Sequence, residues 1–576
     1  MSFDNTRTWS AKCSKCHYTL QTWVDSEGFK TEQAYRKCEK SQPSAFTASF
    51  GNCPGCLINK ITHPAPTYWT DSIPKSGSKL LPMKKPTAKP SEPAGHPEGK
   101  GTHIATRGYG ICLLAPPCPA NALSFNKAEK LQFAKVIAQR QKDNSDCCEE
   151  IFVGMFFDGT GNNARKKWNG SNGARPAGYV AGDEADDSDS NVYRLFQAFP
   201  DKKGFRPFYI EGVGTPLLEI GDSGAGEGYT SDYTLGMGTG YLGERRIVWG
   251  LLNTINLIHL HFIGSPLLSL LELKTLSKEL TEQTERKWYN YMTGPIGGIL
   301  EEQRRLKRAR KEINPKREAK LKELCTTLDA AVKPYLTKRP RPLRIRMSVF
   351  GFSRGSAQAR AFTTWFVDMC KYSSSDGSMM LAGLPVEFDF LGIFDTVASV
   401  GLAAASQLAE GHLSWADAEH TLRVPGEVKR CVHMVAGHEI RRSFPSDSIT
   451  VAGALNEDWD EFVYPGQHSD IGGSYAPKFQ GRGLDANGAD KLSRVPLAHM
   501  YREARLAGVP LDKNDPAAAA RAKTVLKVDA VLIKAFNAYL DKCPTKKGPL
   551  KDLWWSSNFG QFNRFFSCRF TLESVG

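Results

Sequence analysis

The sequence predicts an α/β fold: a mostly parallel sheet, a helical insertion and a small cysteine-bearing N-terminal module. Three observations carry this. Apolar runs at Ile151–Phe157, Leu343–Phe350 and Val386–Phe394 each end in turn-forming residues, the pattern of buried strands. A helical stretch over about 245–335 separates the first run from the second. Gly351-Phe352-Ser353-Arg354-Gly355 follows the second run directly and leads into Ser356-Ala357-Gln358-Ala359-Arg360-Ala361-Phe362, small residues that suit a helix lying close to a sheet.

That G-x-S-x-G segment, with a strand before it and a helix after it, is read as a nucleophile elbow. The turn swings a serine hydroxyl out of a sharp corner, and small residues flank it because a β-carbon there would strike the neighbouring strand or helix. Ser353 is therefore the candidate nucleophile. It needs a base and an orienting acid, and in α/β-hydrolases the chain order is Ser, then Asp or Glu, then His. Asp395 closes the Val386–Phe394 run and is the candidate acid; its competing role is a helix N-cap for Val397 onward. Asp389, inside the strand, is the weaker choice. The Gly-rich loop Tyr464-Pro465-Gly466-Gln467-His468-Ser469-Asp470-Ile471-Gly472-Gly473 presents His468 as the candidate base, since catalytic groups favour loops on a rigid scaffold. Asp470 is either a rival acid or a group that fixes this loop. His433 reads as a core histidine, His438 as part of a structural polar cluster with Glu439, and His412, His420 and His499 as helix residues.

An oxyanion hole combines the backbone N–H after the nucleophile with one from the loop after an early strand. The first is Arg354. The second is Gly159 or Thr160, in the turn Asp158-Gly159-Thr160-Gly161-Asn162-Asn163. No lysine stands at phosphate-loop spacing there.

Five blocks now fall in order: Phe157–Asn163, Asn191–Leu195, Gly351–Ala357, Phe394–Gly401 and Pro465–Gly473. Together, over roughly 150–510, they resemble the α/β-hydrolase family that includes the G-x-S-x-G type VI secretion lipase effectors of the first class. The resemblance implies a phospholipase A type esterase with the triad Ser353, Asp395 and His468. It also implies delivery on a VgrG-like spike protein into a rival bacterium's periplasm, and a cognate immunity protein.

The remaining sequence sets bounds. At 576 residues, 41% hydrophobic and 24% charged, the chain has the composition of a globular protein with a large core. The net charge of +14 favours anionic surfaces. No nucleic-acid motif accompanies it, and no nucleic-acid partner is expected; the resemblance implies membrane phospholipid as the substrate. The basic run Arg304–Lys311 is either a solvated helix face or a membrane-surface contact. The N-terminal residues lack a secretory signal pattern, so export is expected to be signal-independent, from the producer's cytoplasm. The apolar stretch Ile247–Leu271 is broken by polar residues and Pro266, which disfavours a spanning helix; a buried hairpin or a lid are the two readings. Fourteen cysteines include Cys13, Cys16, Cys53 and Cys56 in two C-x-x-C pairs, which suit a structural zinc or disulfides; no cofactor is expected for catalysis. The acidic run Asp183–Asp189 reads as a solvated loop.

The expected organisation is a cysteine-bearing module at 1–60, a Pro/Lys-rich linker at 61–102, a catalytic domain at 103–510 and a C-terminal helical and aromatic region at 511–576. Two other functions fit: a thioesterase or carboxylesterase on soluble acyl esters, and a non-catalytic secretion adaptor.

Overall fold

The computed structural model describes residues 8–12, 19–24, 111–143, 148–163, 190–224, 232–281, 297–338, 341–400, 414–417, 420–439, 444, 446–450, 455–475, 483–485, 487–511, 526–543 and 546–549. In chain order the strands are β1 (Thr8–Lys12), β2 (Thr19–Val24), β3 (Ile111–Leu114), β4 (Cys148–Phe157), β5 (Phe205–Ile210), β6 (Arg341–Phe352), β7 (Lys371–Tyr372), β8 (Met379–Leu381), β9 (Leu384–Phe394), β10 (Cys431–Ala436), β11 (Trp459–Tyr464) and β12 (Lys547–Pro549). The helices are α1 (Lys127–Asp143), α2 (Asn191–Ala198), α3 (Asp232–Thr239), α4 (Gly243–Ile263), α5 (Leu270–Glu279), α6 (Gly297–Val332), α7 (Arg354–Met369), α8 (His468–Gly472), α9 (Arg494–Leu506) and α10 (Ala530–Lys542).

Two units are present, Met1–Ala94 and Gly95–Gly576. In the first, β1 and β2 pair antiparallel. The second is built on one sheet in the order β12-β3-β11-β10-β9-β6-β4-β5. Its neighbours are parallel except for β12 against β3, with β7 and β8 attached antiparallel beside β9.

The central strands are apolar at nearly every position because both of their faces are covered. Successive strand side chains point to opposite faces, and helices on both sides bury both sets. On β4, Ile151, Val153, Met155 and Phe157 join one core while Phe156 joins the other; on β6, Ile345, Met347 and Val349 oppose Phe350 and Phe352. Helices α4, α6 and α7 cover the first face, and α2, α9 and α10 the second. The second core is aromatic: Phe156 and Phe350 stack at 5.0 Å, and Phe350 meets Phe390 at 5.6 Å.

Packing decides three points. Residues 245–335 contain helices, and of the two readings of Ile247–Leu271 the buried one holds for α4, with Ile247, Val248, Leu251, Leu252, Ile255 and Ile258 sealed against the sheet. It is no lid; burial, rather than an exposed apolar face, explains its hydrophobicity. No described helix is long and apolar enough to cross a membrane. Of the described residues after 510, α10 packs Ile533, Phe536 and Tyr539 into the aromatic core, and β12 pairs with the sheet edge at β3. The sheet itself begins before Ile151, since β3 is one of its strands.

Strand β6 lies between β4 and β9, and the turn after it is packed without slack. A Cβ built on Gly355 would stand 2.3 Å from the Asp158 carbonyl oxygen and 2.4 Å from that of Phe157. Gly355→Ala is expected to lose about 1–3 kcal/mol of stability, read from the urea unfolding midpoint. Gly426→Ala, where the same atom meets nothing within 4 Å, is expected to stay within about 0.5 kcal/mol. Equal midpoints for both variants would show that the turn yields.

Candidate active site

Five strands end at one edge of the sheet, and the chain leaves each as a candidate group. Asp158 follows β4, Ser353 follows β6, Asp395 follows β9, His438 lies two residues beyond β10, and His468 lies four beyond β11. In open α/β sheets the crevice beyond the carboxyl ends of the strands is where ligands bind.

Ser353 has φ 59° and ψ −127°, a strained conformation for a residue with a side chain, costing about 1–3 kcal/mol. Neighbours enforce it. Its N–H donates to the Phe394 carbonyl at 3.0 Å, and its own carbonyl accepts from Ser356 at 3.0 Å and Val397 at 3.1 Å. A Cβ on Gly351 would fall 2.6 Å from the Gly355 carbonyl oxygen, so glycine is required for strand and helix to meet this closely. The serine is 3% exposed.

Asp395 sits across this contact, also with a left-handed backbone, φ 38°. Its N–H donates to Met434 at 2.7 Å, and its Oδ1 accepts from the Ala436 N–H at 3.0 Å. Its Oδ2 accepts from His468 Nδ1 at 2.6 Å. Burial by itself raises the Asp395 carboxyl, but the hydrogen bond and charge of His468, with the Ala436 N–H, outweigh it and hold the group below the ordinary carboxylate range.

His468 is the first residue of α8 rather than a loop residue. Asp470 explains the difference: its Oδ2 accepts from the Gln467 N–H at 2.9 Å and closes a capping box. Asp470 therefore fixes the turn. The imidazole lies between Phe352 and Phe444, at 4.7 and 4.9 Å between ring centres. Its backbone N–H donates to Glu439 at 3.1 Å. With Nδ1–H given to Asp395, Nε2 is the acceptor, and it is buried with no hydrogen-bond partner. Asp395 and His468 are thus paired next to the Ser353 turn, which is tied to the end of β9 by the Ser353–Phe394 bond and to His468 through the neighbouring Phe352 ring, with an acceptor nitrogen in reserve. Such an arrangement suits proton transfer from a nucleophile, and the serine–histidine contact is often loose before substrate binds.

On the opposite side of Ser353, the Gly159 N–H donates to the Asp158 carboxylate at 2.7 Å, and Tyr209 donates to the same carboxylate at 2.5 Å. The Thr160 hydroxyl accepts from Arg354 Nε at 2.8 Å, which joins the turn after β4 to the start of α7. Arg354 also donates to the Met237 carbonyl. Burial, with no carboxylate to offset it, pushes its guanidinium down to about 10.

Other candidates lie elsewhere. Asp389 pairs with Arg346 at 3.1 Å, in a network with Glu150 and Glu387. His433 is a core histidine whose Nδ1 meets Glu461 at 2.8 Å while Nε2 accepts the Thr396 N–H at 3.1 Å. This pair braces the residue after Asp395, a role sequence reasoning missed because Glu461 is 28 positions away. His499 bonds Tyr464 at 2.7 Å. His420 lines a cavity of about 730 Å³ with Asp368, Glu427 and Trp459, at the end of α7 far from Ser353. His412, Cys13, Cys16, Cys53, Cys56 and the run 183–189 lie outside the described residues. Among the described residues no three His, Cys, Asp or Glu side chains form a metal cluster.

His438 supports the base from behind. Its Nδ1 accepts the Gly466 N–H at 2.9 Å and its Nε2 meets Tyr539 at 3.0 Å, and burial pushes its imidazole down to about 4. As pH falls below about 6.5, an unfolded chain protonates this group while the folded one resists until about 4, so stability drops in that window. His438→Gln is expected to lower the slope of unfolding free energy against pH there by up to one proton, about 1.4 kcal/mol per pH unit. Denaturant melts from pH 7 to 4.5 check this, and parallel curves for wild type and variant would refute it.

Residues 371–503, which contain Asp395 and His468, match the family model for T6SS phospholipase effector, Tle1-like, catalytic domain. No curated protein matches the chain. Among solved structures, an uncharacterized protein from Pseudomonas aeruginosa shares 30% identity at a TM-score of 0.57, covering 77% of this chain and 58% of that one. The chain therefore spans less than two thirds of that protein's length. The structure of the Tle1 effector bound to the VgrG spike shares 19% identity at a TM-score of 0.28, covering 58% of this chain and 53% of that one. Over 371–503, the segment that carries the candidate acid and base, this chain is similar to the catalytic domain of type VI secretion phospholipase effectors.

Proposed function

We propose that this chain is a serine esterase that hydrolyses phospholipid acyl esters, of phospholipase A type, and serves as an antibacterial type VI secretion effector. The observation that carries the chemistry is the 2.6 Å bond from His468 Nδ1 to buried Asp395 beside the strained turn at Ser353. The family match over 371–503 supports the substrate class and the secretion route.

In this reading His468 Nε2 takes the Ser353 proton as Oγ attacks the ester carbonyl, and Asp395 stabilises the imidazolium that forms. The backbone N–H groups of Arg354 and Thr160 receive the oxyanion; the Gly159 N–H is committed to Asp158. The protonated imidazole then releases the lysophospholipid alkoxide as an alcohol. Water, deprotonated by His468, frees the fatty acid. Catalysis needs no cofactor, and a structural zinc on Cys13, Cys16, Cys53 and Cys56 is a separate part of the proposal. Loading on a VgrG-like spike, action in the target periplasm and an immunity protein in the producer complete it.

Fatty-acid release from phospholipid vesicles tests the reading. Ser353→Ala is expected to abolish it, and Asp395→Asn to lower kcat on the order of a thousandfold or more, with both variants folded. Turnover of short soluble esters but not vesicles by the wild type would favour a carboxylesterase or thioesterase. Undiminished release by Ser353→Ala would remove the serine from the mechanism.

A further inference from the structure

The residue after the candidate nucleophile carries a charge that no carboxylate among the described residues balances. Arg354 is 7% exposed. Nε and one terminal nitrogen are held by neutral acceptors, the Thr160 hydroxyl and the Met237 carbonyl. The other terminal nitrogen, Nη1, is buried with no hydrogen-bond partner. Among the described residues no carboxylate pairs with this guanidinium, whereas buried Arg246, Arg317, Arg346 and Arg360 each meet an Asp or Glu. A buried ion without a counter-charge is strongly destabilising, and such groups gather at functional sites.

Position makes this charge useful. Arg354 opens α7 directly after Ser353, and its side chain reaches across to Thr160, so the cation is held against the turn after β4. Gly240 borders it: a Cβ built there would stand 3.4 Å from Arg354 Cδ and 3.9 Å from Nη1. The stretch it belongs to, Gly236-Met237-Gly238-Thr239-Gly240, holds three glycines, and the Met237 carbonyl accepts from the guanidinium. In a glycerophospholipid the phosphate and the scissile acyl ester hang on one three-carbon glycerol. A group bound through its phosphate next to Ser353 thereby delivers an ester to the hydroxyl.

Resting on the phospholipase reading above, we propose that Arg354 is the phosphate-binding residue of the site. Its Nη1–H groups donate to a non-bridging oxygen of the substrate's phosphodiester, displacing part of the 236–240 stretch, and so select phosphate-bearing acyl esters over neutral ones. Arginine suits this better than lysine, because its planar fork can hold Thr160 and Met237 while a further edge faces the phosphate.

The test compares phosphatidylglycerol with diacylglycerol of the same acyl chains, each in mixed micelles, for wild type and Arg354→Gln. Whatever the absolute rates, the ratio of kcat/KM for phosphatidylglycerol to that for diacylglycerol is expected to fall on the order of ten- to a hundredfold in the variant. An unchanged ratio, with phosphatidylglycerol still hydrolysed by the wild type, would overturn this proposal alone. No fatty acid released from phosphatidylglycerol by the wild type would overturn the phospholipase reading and this proposal with it. If Arg354→Gln does not fold, wild type alone decides: glycerol 3-phosphate is expected to inhibit hydrolysis of a short soluble ester competitively, and glycerol at the same concentration is not. Equal effects of the two would overturn the proposal.

Discussion

The backbone at Ser353 is held where a free serine would not stay, and the rest of the second unit is arranged around holding it. A φ of 59° with ψ −127° persists only if the surroundings over-determine it. The Phe394 carbonyl, the Val397 N–H and the carbonyl wall left by glycine at 351 and 355 do so. Each of those groups belongs to a different element, so strain at one turn is offset by packing across β4, β6, β9 and α7. The two aromatic and aliphatic cores fix those elements from both faces of the sheet.

The same neighbours that strain the serine place its partners. Phe394, which receives the Ser353 N–H, is followed directly by Asp395, so the carboxylate cannot drift from the serine without breaking the turn. The carboxylate then meets an imidazole whose own position is set three ways: by rings on either side, by the Glu439 contact to its N–H, and by the Gln467–Asp470 cap. Behind both lie two more buried histidines. His433 accepts the Thr396 N–H, and His438 accepts the Gly466 N–H. They work as neutral acceptors for backbone that would otherwise be unsatisfied, a requirement that follows from burying irregular loops.

Electrostatics divide the molecule. Several buried arginines remote from the site are paired with acids; Arg346 by itself meets Glu150, Glu387 and Asp389. Arg354 is left with neutral partners beside the serine. A buried guanidinium with no carboxylate partner among the described residues, next in the chain to the proposed nucleophile, suits an anionic ligand, as in the proposal for phosphate recognition.

The sequence by itself determined the strand, turn and helix around Gly351–Gly355, because the steric demands of that corner are local and only small residues meet them. It also indicated an α/β sheet, from apolar runs at β4, β6, β9 and β10 whose hydrophobicity reflects cover on both faces. Ser353, Asp395 and His468 stood out as candidates through chain order and turn chemistry. What lay outside its reach depends on contacts far apart in the chain. Strands β3, β5 and β12 are too short or too mixed to stand out, and the sheet recruits them by edge pairing. The α4 stretch is equally apolar whether it covers a site or fills a core, and only packing against α6 and α7 decides that it fills one. The bracing of Asp395 by His433 and Glu461, and the unbalanced guanidinium of Arg354, exist only once the fold has brought charges and their absence into one place.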